Sequence, residues 1–301
     1  MKLGLFSVSY AGLWGQKELG VKEFIGKAAK LGYEAVMLMG KRPHVSAVGM
    51  KDEELEEIKK ELKKKKIECA AVGGYTDFSC NSAAEVPFLE MQVAYVESLS
   101  RMATALGASM VRVFTGYDVA GEGVQASWNR VVQGLQESCD RAAAYGVTLA
   151  VQNHHDIAVH TDALLELLGD VNRPNCKLAF DAWSPYLRGE KLYDAALKAA
   201  PHMAMTTNAD YIRLPRSRYQ PSLINYQSQT PDWVRAVPFG TGTIDYRSFF
   251  QGLIVGGFDG LCSYEMCSPL RSGGSETNLD HYASTYLTWM RDHKLIISTP
   301  E

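Results

Sequence analysis

A chain of 301 residues with 46% hydrophobic content can bury one large α/β core or two modest ones, and its net charge of −3 removes the electrostatic case for nucleic acid or an anionic membrane. No apolar run reaches the roughly 18 residues of a membrane span, and the opening MKLGLFSVSY lacks a signal-peptide cleavage pattern. The six cysteines, at 69, 80, 139, 176, 262 and 267, show neither CxxC pairs nor regular spacing, which points to small core residues in a reduced, cytoplasmic protein.

In chain order, eight strand–helix units can be read. Strands are expected near 2–8, 34–39, 67–73, 110–115, 148–153, 176–181, 202–207 and 260–265. Helices are expected near 20–31, 52–65, 86–106, 126–145, 161–168, 190–199, 245–256 and 277–291. One phrase recurs: a helical pattern, a Gly, then a short apolar strand. It turns at Gly32 in AAKLGYEAVML, Gly107 in MATALGASMVRVF, Gly146 in RAAAYGVTLAVQN and near Gly257 in LIVGGFDGLCSYE. Glycine just past a helix end suits the left-handed cap. The strands are near-continuous apolar runs, as in a parallel sheet buried on both faces. The second helix, KDEELEEIKKELKKKK, puts Leu55, Ile58 and Leu62 on one face. Its acids come first and its lysines last, matching the helix dipole, so the lysine run reads as a solvated helix end. Eight such units in one chain predict a single-domain (β/α)₈ barrel over 1–301. A doubly wound open sheet would more often carry a glycine-rich phosphate loop after the first strand, and SVSYAGLWGQ is not one. Two long connections, 208–244 and 266–276, follow strands and so belong to the C-terminal face, where barrel enzymes build their sites. The first carries Tyr211, Arg213, Tyr219, Tyr226 and Trp233 and is expected to act as a partly ordered lid or a subunit contact.

Barrel logic selects the polar residues at strand ends. These are Arg112; Gln152, His154 and His155 in LAVQNHHDI; Asp181 in CKLAFDAWSP; Thr207, Asn208 and Asp210; and Glu265 in LCSYEMCSP. Carboxylates at the ends of apolar strands are costly unless paired or bound to a cation. Asp181 and Glu265, with an amide or imidazole from the fifth strand, suit Mn²⁺ or Mg²⁺; an ion pair with Arg112 is the plain alternative. Strand parity puts His154 on the same side as Gln152 and His155 on the other. Tyr10, Trp14 and Trp183 can stack on a sugar, and Arg271 and Arg213 can anchor a substrate. Arg213 shares its loop with Arg216 and Arg218, a face that is as readily solvated.

Together, GYEAV, VTLAVQNHHD, KLAFDAWSP and GGFDGLCSYEM followed by SPLRSGGSETNLDHY resemble the xylose-isomerase-like sugar isomerases and epimerases over nearly the whole chain. The resemblance implies a divalent metal, Mn²⁺ foremost with Mg²⁺ or Co²⁺ as alternatives. In such enzymes Glu, Asp, His and Glu from strands five to eight hold it; Asp181 and Glu265 match two of those places. Gln152 stands where a Glu is usual, and Thr207 or Asn208 where a His is usual; the expected ligands are Gln152, Asp181, Asn208 and Glu265. Because Gln152 cannot accept a proton, the acid–base role is expected at His154, then His155, with Glu265 as the remaining candidate. The pairing of QNHHD with SPLR.GG is similar to the branch that eliminates the aglycone from 3-oxo-glycosides, including C-glycoside deglycosidases. That branch implies an oligomer containing a small separate subunit. Expected binding partners are a small sugar or glycoside, with Arg112, Trp183, Arg213, Arg271 and Tyr10 as contacts. A degenerate sugar-binding barrel or scaffold is the competing reading. A DNA-repair barrel is disfavoured by the scattered histidines and the acidic charge.

Overall fold

The fold, described from a computed structural model, covers residues 1–82, 85–293 and 295. Eight parallel strands close on themselves: β1 (Lys2–Phe6), β2 (Ala35–Met39), β3 (Glu68–Gly73), β4 (Met110–Val113), β5 (Thr148–Val151), β6 (Cys176–Ala179), β7 (Met203–Asn208) and β10 (Leu261–Tyr264). Their order is β1-β10-β7-β6-β5-β4-β3-β2, and the seam closes where Lys2 to Leu5 register on Leu261 to Tyr264. The helices between them are α1 (Val21–Leu31), α2 (Asp52–Lys65), α3 (Phe88–Ala105), α4 (Val124–Ala143), α5 (Thr161–Val171), α6 (Trp183–Leu187), α7 (Leu192–Ala199), α8 (Tyr246–Val255) and α9 (Glu276–Asp292). The expected barrel is therefore present. Among the described residues no helix is long and apolar enough to cross a membrane.

Local chemistry sets the helix ends. Helix α2 buries Leu55, Ile58 and Leu62, and its Glu54 carboxylate accepts from the Lys51 backbone N–H at 2.8 Å. Gly32 closes α1 at φ 91°, in the left-handed region that side chains resist. Ser275 caps α9, and the Asp245 carboxylate caps α8 by accepting from Ser248 N–H at 3.1 Å. His160 caps α5 through Asp162 N–H, so this imidazole is structural.

Two apolar layers result. One lies between sheet and helices. The other fills the barrel interior, where Ala35, Ala71, Ala150 and Ala179 leave room for Phe6, Met37, Met39 and Met205. The strands end earlier than their apolar pattern suggests. β5 stops at Val151 and β6 at Ala179, so Gln152 and Asp181 stand above the packed layer, facing the mouth.

The connection 208–244 is not a loop. It is an antiparallel ribbon of β8 (Asp210–Gln220) and β9 (Asn225–Val237), paired from Asp210↔Val237 to Gln220↔Asn225. Its register slips between Leu214 and Arg216, around Pro215, where a missing N–H is harmless. Asp210 clamps the root, its buried carboxylate accepting from the N–H groups of Gly240 (2.9 Å) and Gly242 (2.8 Å). Gly242 passes so close that an added Cβ would lie 2.0 Å from the Asp210 carboxylate.

A buried histidine ties β1 to the first connection. His44 Nε2 donates to the Leu19 carbonyl (3.0 Å), so Nδ1 is free to accept from the Ser7 hydroxyl (2.9 Å). Burial lowers its pKa below 6.5. Below 6.5 the unfolded chain takes up a proton that the native ring resists. The contribution of His44 to stability is thus complete above 6.5 and is lost as the pH falls toward the lower native value. Stability measured by urea denaturation should therefore fall between pH 7 and pH 5, and more shallowly in His44→Gln. Equal slopes in the two proteins would show that His44 is not a source of the loss.

Candidate active site

The strand ends surround a cavity of about 520 Å³ at the barrel mouth. On one side stand Gln152, Asp181, Thr207 and Glu265. The Gln152 amide nitrogen donates to Asp181 Oδ2 and to Thr207 Oγ1, both at 2.9 Å. Asp181 Oδ1 accepts from Ser184 N–H at 3.0 Å. The backbone of Asp181 is locked by Asn153, whose side chain accepts from Asp181 N–H (2.8 Å) and donates to its carbonyl (3.1 Å). Asn153, fully buried, is thus what aligns the ends of β5 and β6, a role the sequence did not suggest.

No ion pair among the described residues involves Asp181 or Glu265, Arg112 included. Burial raises the pKa of Asp181, against the Gln152 hydrogen bond. Burial also pushes Glu265 up to about 7; the Arg112 charge opposes this and Asp181 adds to it.

Both histidines reach the cavity. The chain turns immediately after β5, His154 N–H donating to the Gln152 carbonyl at 2.8 Å, and His155 adopts φ 71°. That turn cancels strand parity, so the rings lie side by side with centroids 4.8 Å apart. His155 stacks on Tyr117 (4.2 Å) and packs on Phe114 (4.3 Å); His154 touches Phe114 at 5.2 Å. The ordinary imidazole value near 6.5 does not hold here. Burial first, then the Arg112 charge, pushes His154 down to about 4; burial, then His154 itself, does the same to His155. Both rings are therefore neutral at pH 7 and free to accept a proton.

Other expected residues divide. Arg112 is almost fully buried and Trp183 lines the cavity, 4.5 Å from the Tyr211 ring. Trp14 also lines it. Asn208 does not. Its side chain turns to the helix layer, donating to Tyr286 Oη (3.2 Å) and the Ser263 carbonyl (3.4 Å). Parity on β7 gives the mouth to Thr207 instead. Tyr10 also faces away, buried against Phe24 and donating to Asp280 at 2.8 Å. Arg213 lies exposed on the ribbon, ion-paired with Asp232, and Arg271 is exposed outside the cavity wall. Of the ribbon, only Tyr211 and Val234 near its root line the cavity; Tyr219, Tyr226 and Trp233 are exposed. Contact between the ribbon and the cavity is thus made at the ribbon's root. Lys41, Tyr75, Phe114, Tyr117 and Cys267 also line the cavity and were not singled out from sequence as site residues.

A divalent cation can be weighed against this donor set. Among the described residues no three His, Cys, Asp or Glu side chains gather as a metal-holding group. The oxygen donors nevertheless fit a hard cation. Among the described residues the buried Asp181 and the half-buried Glu265 form no ion pair, and Oε1 of Gln152 is buried with no hydrogen-bond partner. Carboxylate, amide and hydroxyl oxygens, with water completing the shell, are the ligands Mg²⁺ and Mn²⁺ take.

Comparison with known proteins follows the same line. Residues 25–293 match the family model described as xylose isomerase-like TIM barrel. The chain is 22% identical over 258 residues to the 3-dehydroshikimate dehydratase of Bacillus anthracis, covering 83% of this chain and 86% of that protein. It is 21% identical over 276 residues to the fructoselysine 3-epimerase of Escherichia coli O157:H7, covering 88% and 90%. Among solved structures, the D-allulose 3-epimerase of Methylomonas sp. superposes with a TM-score of 0.75 at 16% identity, covering 97% of this chain and 98% of that one.

Proposed function

The chain belongs to the xylose isomerase-like TIM barrel family, and from that premise we propose that it is a metal-dependent carbohydrate enzyme that removes a proton next to a sugar carbonyl. Isomerisation, epimerisation and β-elimination share this first step. One observation carries the reading: the buried Asp181 and the half-buried Glu265, in no ion pair among the described residues, share a cavity with two neutral imidazoles. The kinship with a dehydratase and an epimerase supports the same class. A 3-oxo-glycoside, cleaved by elimination, is the substrate we favour. Six free cysteines support a reducing, cytoplasmic setting.

Asp181 and Glu265, with Gln152 and Thr207, would hold the cation, Mn²⁺ foremost. When bound it supplies positive charge beside the carbonyl oxygen, where negative charge develops. The rest is done by the chain. His154, neutral at working pH, takes the proton from the carbon. Its low pKa makes the resulting imidazolium a strong acid, able to return the proton to carbon or to pass it to a leaving group. Trp183 and Tyr211 form an aromatic wall over which a sugar ring can lie, and Gln152 orients Asp181.

The test is proton exchange. A 3-oxo-glucoside incubated in D₂O with the Mn²⁺-loaded protein should gain deuterium next to the carbonyl, read by mass spectrometry, and chelator should abolish the gain. Sugar binding without exchange, with or without metal, would instead support the degenerate sugar-binding barrel.

A further inference from the structure

We propose that the cavity wall formed by the ends of β2, β3 and β4 is a carboxylate subsite, where Lys41, Arg112 and Tyr75 hold an acidic group of the substrate. The proposal rests on the sugar-enzyme reading above and narrows its substrate to an acidic sugar or a sugar-like acid.

Among the described residues, two donors in this wall are buried with nothing to donate to, and a half-buried ammonium stands beside them. Arg112 is 1% exposed, yet among the described residues only its Nη1 makes a hydrogen bond, to the Gly74 carbonyl at 2.7 Å. Its Nε is buried without a partner. The guanidinium instead lies over aromatic rings, 4.0 Å from the Phe114 centroid and 5.1 Å from that of Tyr75. The Tyr75 hydroxyl is likewise buried with no partner. Lys41, just past β2, sets its ammonium 3.8 Å from the centroid of the same Tyr75 ring. Neither Lys41 nor Arg112 joins any ion pair among the described residues.

Such an arrangement is costly when empty. A buried charge without a counter-charge and a buried donor without an acceptor both forfeit their hydration. Burial, then the Arg112 charge, lowers the pKa of Lys41, a sign that the two cations burden each other. An anion between them relieves the repulsion and satisfies the idle donors together. The guanidinium fork suits a planar carboxylate. Phosphate is disfavoured because the amides here are already used: Gly40 N–H donates to the Gly73 carbonyl and Gly74 N–H to that of Arg112, leaving no backbone cradle. The carboxylates Asp181 and Glu265 stand elsewhere around the mouth, just past the ends of β6 and β10, with β5 and β1 intervening. The cavity is thus polarised, one part for the reacting carbonyl and one for an acid group.

Isothermal titration calorimetry on the full chain, both metal-free and Mn²⁺-loaded, decides the matter with D-glucuronate and its neutral counterpart D-glucuronamide. Glucuronate should bind at least about tenfold more tightly in both states. Lys41→Met should remove that advantage while leaving the glucuronamide affinity within about twofold. Arg112→Met should do the same, but its burial threatens folding, so the half-buried Lys41 carries the test. Equal affinities for the two sugars in the wild type would overturn the subsite and leave the sugar reading standing. An advantage that survives in Lys41→Met overturns it too, as does tighter binding of D-glucose 6-phosphate than of glucuronate. If no sugar binds in either state, the sugar reading falls and takes the subsite with it.

Discussion

Glu265→Gln is expected to lower turnover by about 10²- to 10⁴-fold and to lower bound divalent metal with it. The substitution keeps the shape of the side chain and removes its charge. That charge is the second of only two carboxylates in the oxygen set, so its loss halves the attraction for a cation. The same change should not harm the fold. Burial already pushes the Glu265 carboxyl up to about 7, which means that its ionised form is resisted by the native structure. The metal-free variant should accordingly melt no lower than wild type, and higher at pH 8, where the native Glu265 must carry its charge. A dead but more stable protein separates loss of function from loss of structure. Asp181→Asn should behave similarly in metal content. If both variants keep full metal occupancy, the oxygen set is not the metal site.

His154→Ala should cost at least about 10² in turnover while leaving the metal in place. Gln152 cannot accept a proton, and of the groups beside it His154 is the nearest titratable one in sequence on the cavity wall. Its ring meets Phe114 at 5.2 Å and His155 at 4.8 Å, whereas His155 is in addition packed between Phe114 and Tyr117 at 4.3 and 4.2 Å. The tighter packing suits a residue that holds its neighbour, so His155→Ala should cost less. A mild effect at His154 with a large one at His155 would transfer the role. Small effects at both, with metal retained, would leave Glu265 as the base.

Much of the barrel is legible in the repeating helix, glycine and apolar strand, because caps and buried parallel strands are local chemistry. The carboxylates and the imidazoles are legible because strand ends in a barrel open onto its mouth. What was not legible depended on where a strand stops. Parity separates His154 from His155 only while the chain stays extended, and here it turns at Gln152, with His155 at φ 71°. The choice of Asn208 over Thr207 followed ligand strength; register decided otherwise, since the ladder holds through Asn208 and sends its amide to Tyr286. Lys41 and Tyr75 obey the same strand-end rule that picked out Arg112, but they sit in connections without a motif and were passed over. The ribbon escaped notice because Pro215, Pro221 and Pro231 argue against strands, and on a two-stranded ribbon a proline costs little.

The root of that ribbon has an engineering meaning. The chain leaves the barrel at Asp210 and returns at Val237, two residues paired directly across from each other. The root residues Tyr211, Val234 and Ala236 belong to the cavity wall and its backing, but beyond the Leu214↔Trp233 pair the ribbon can be cut out and the gap closed by a tight turn without touching a barrel strand. Shortening a connection whose ends already meet carries only a small entropic change. The ribbon is therefore a cassette: a position at which a binding loop, a reporter peptide or a foreign hairpin can be spliced beside the mouth of a pre-formed barrel, with the Asp210 clamp as the fixed socket.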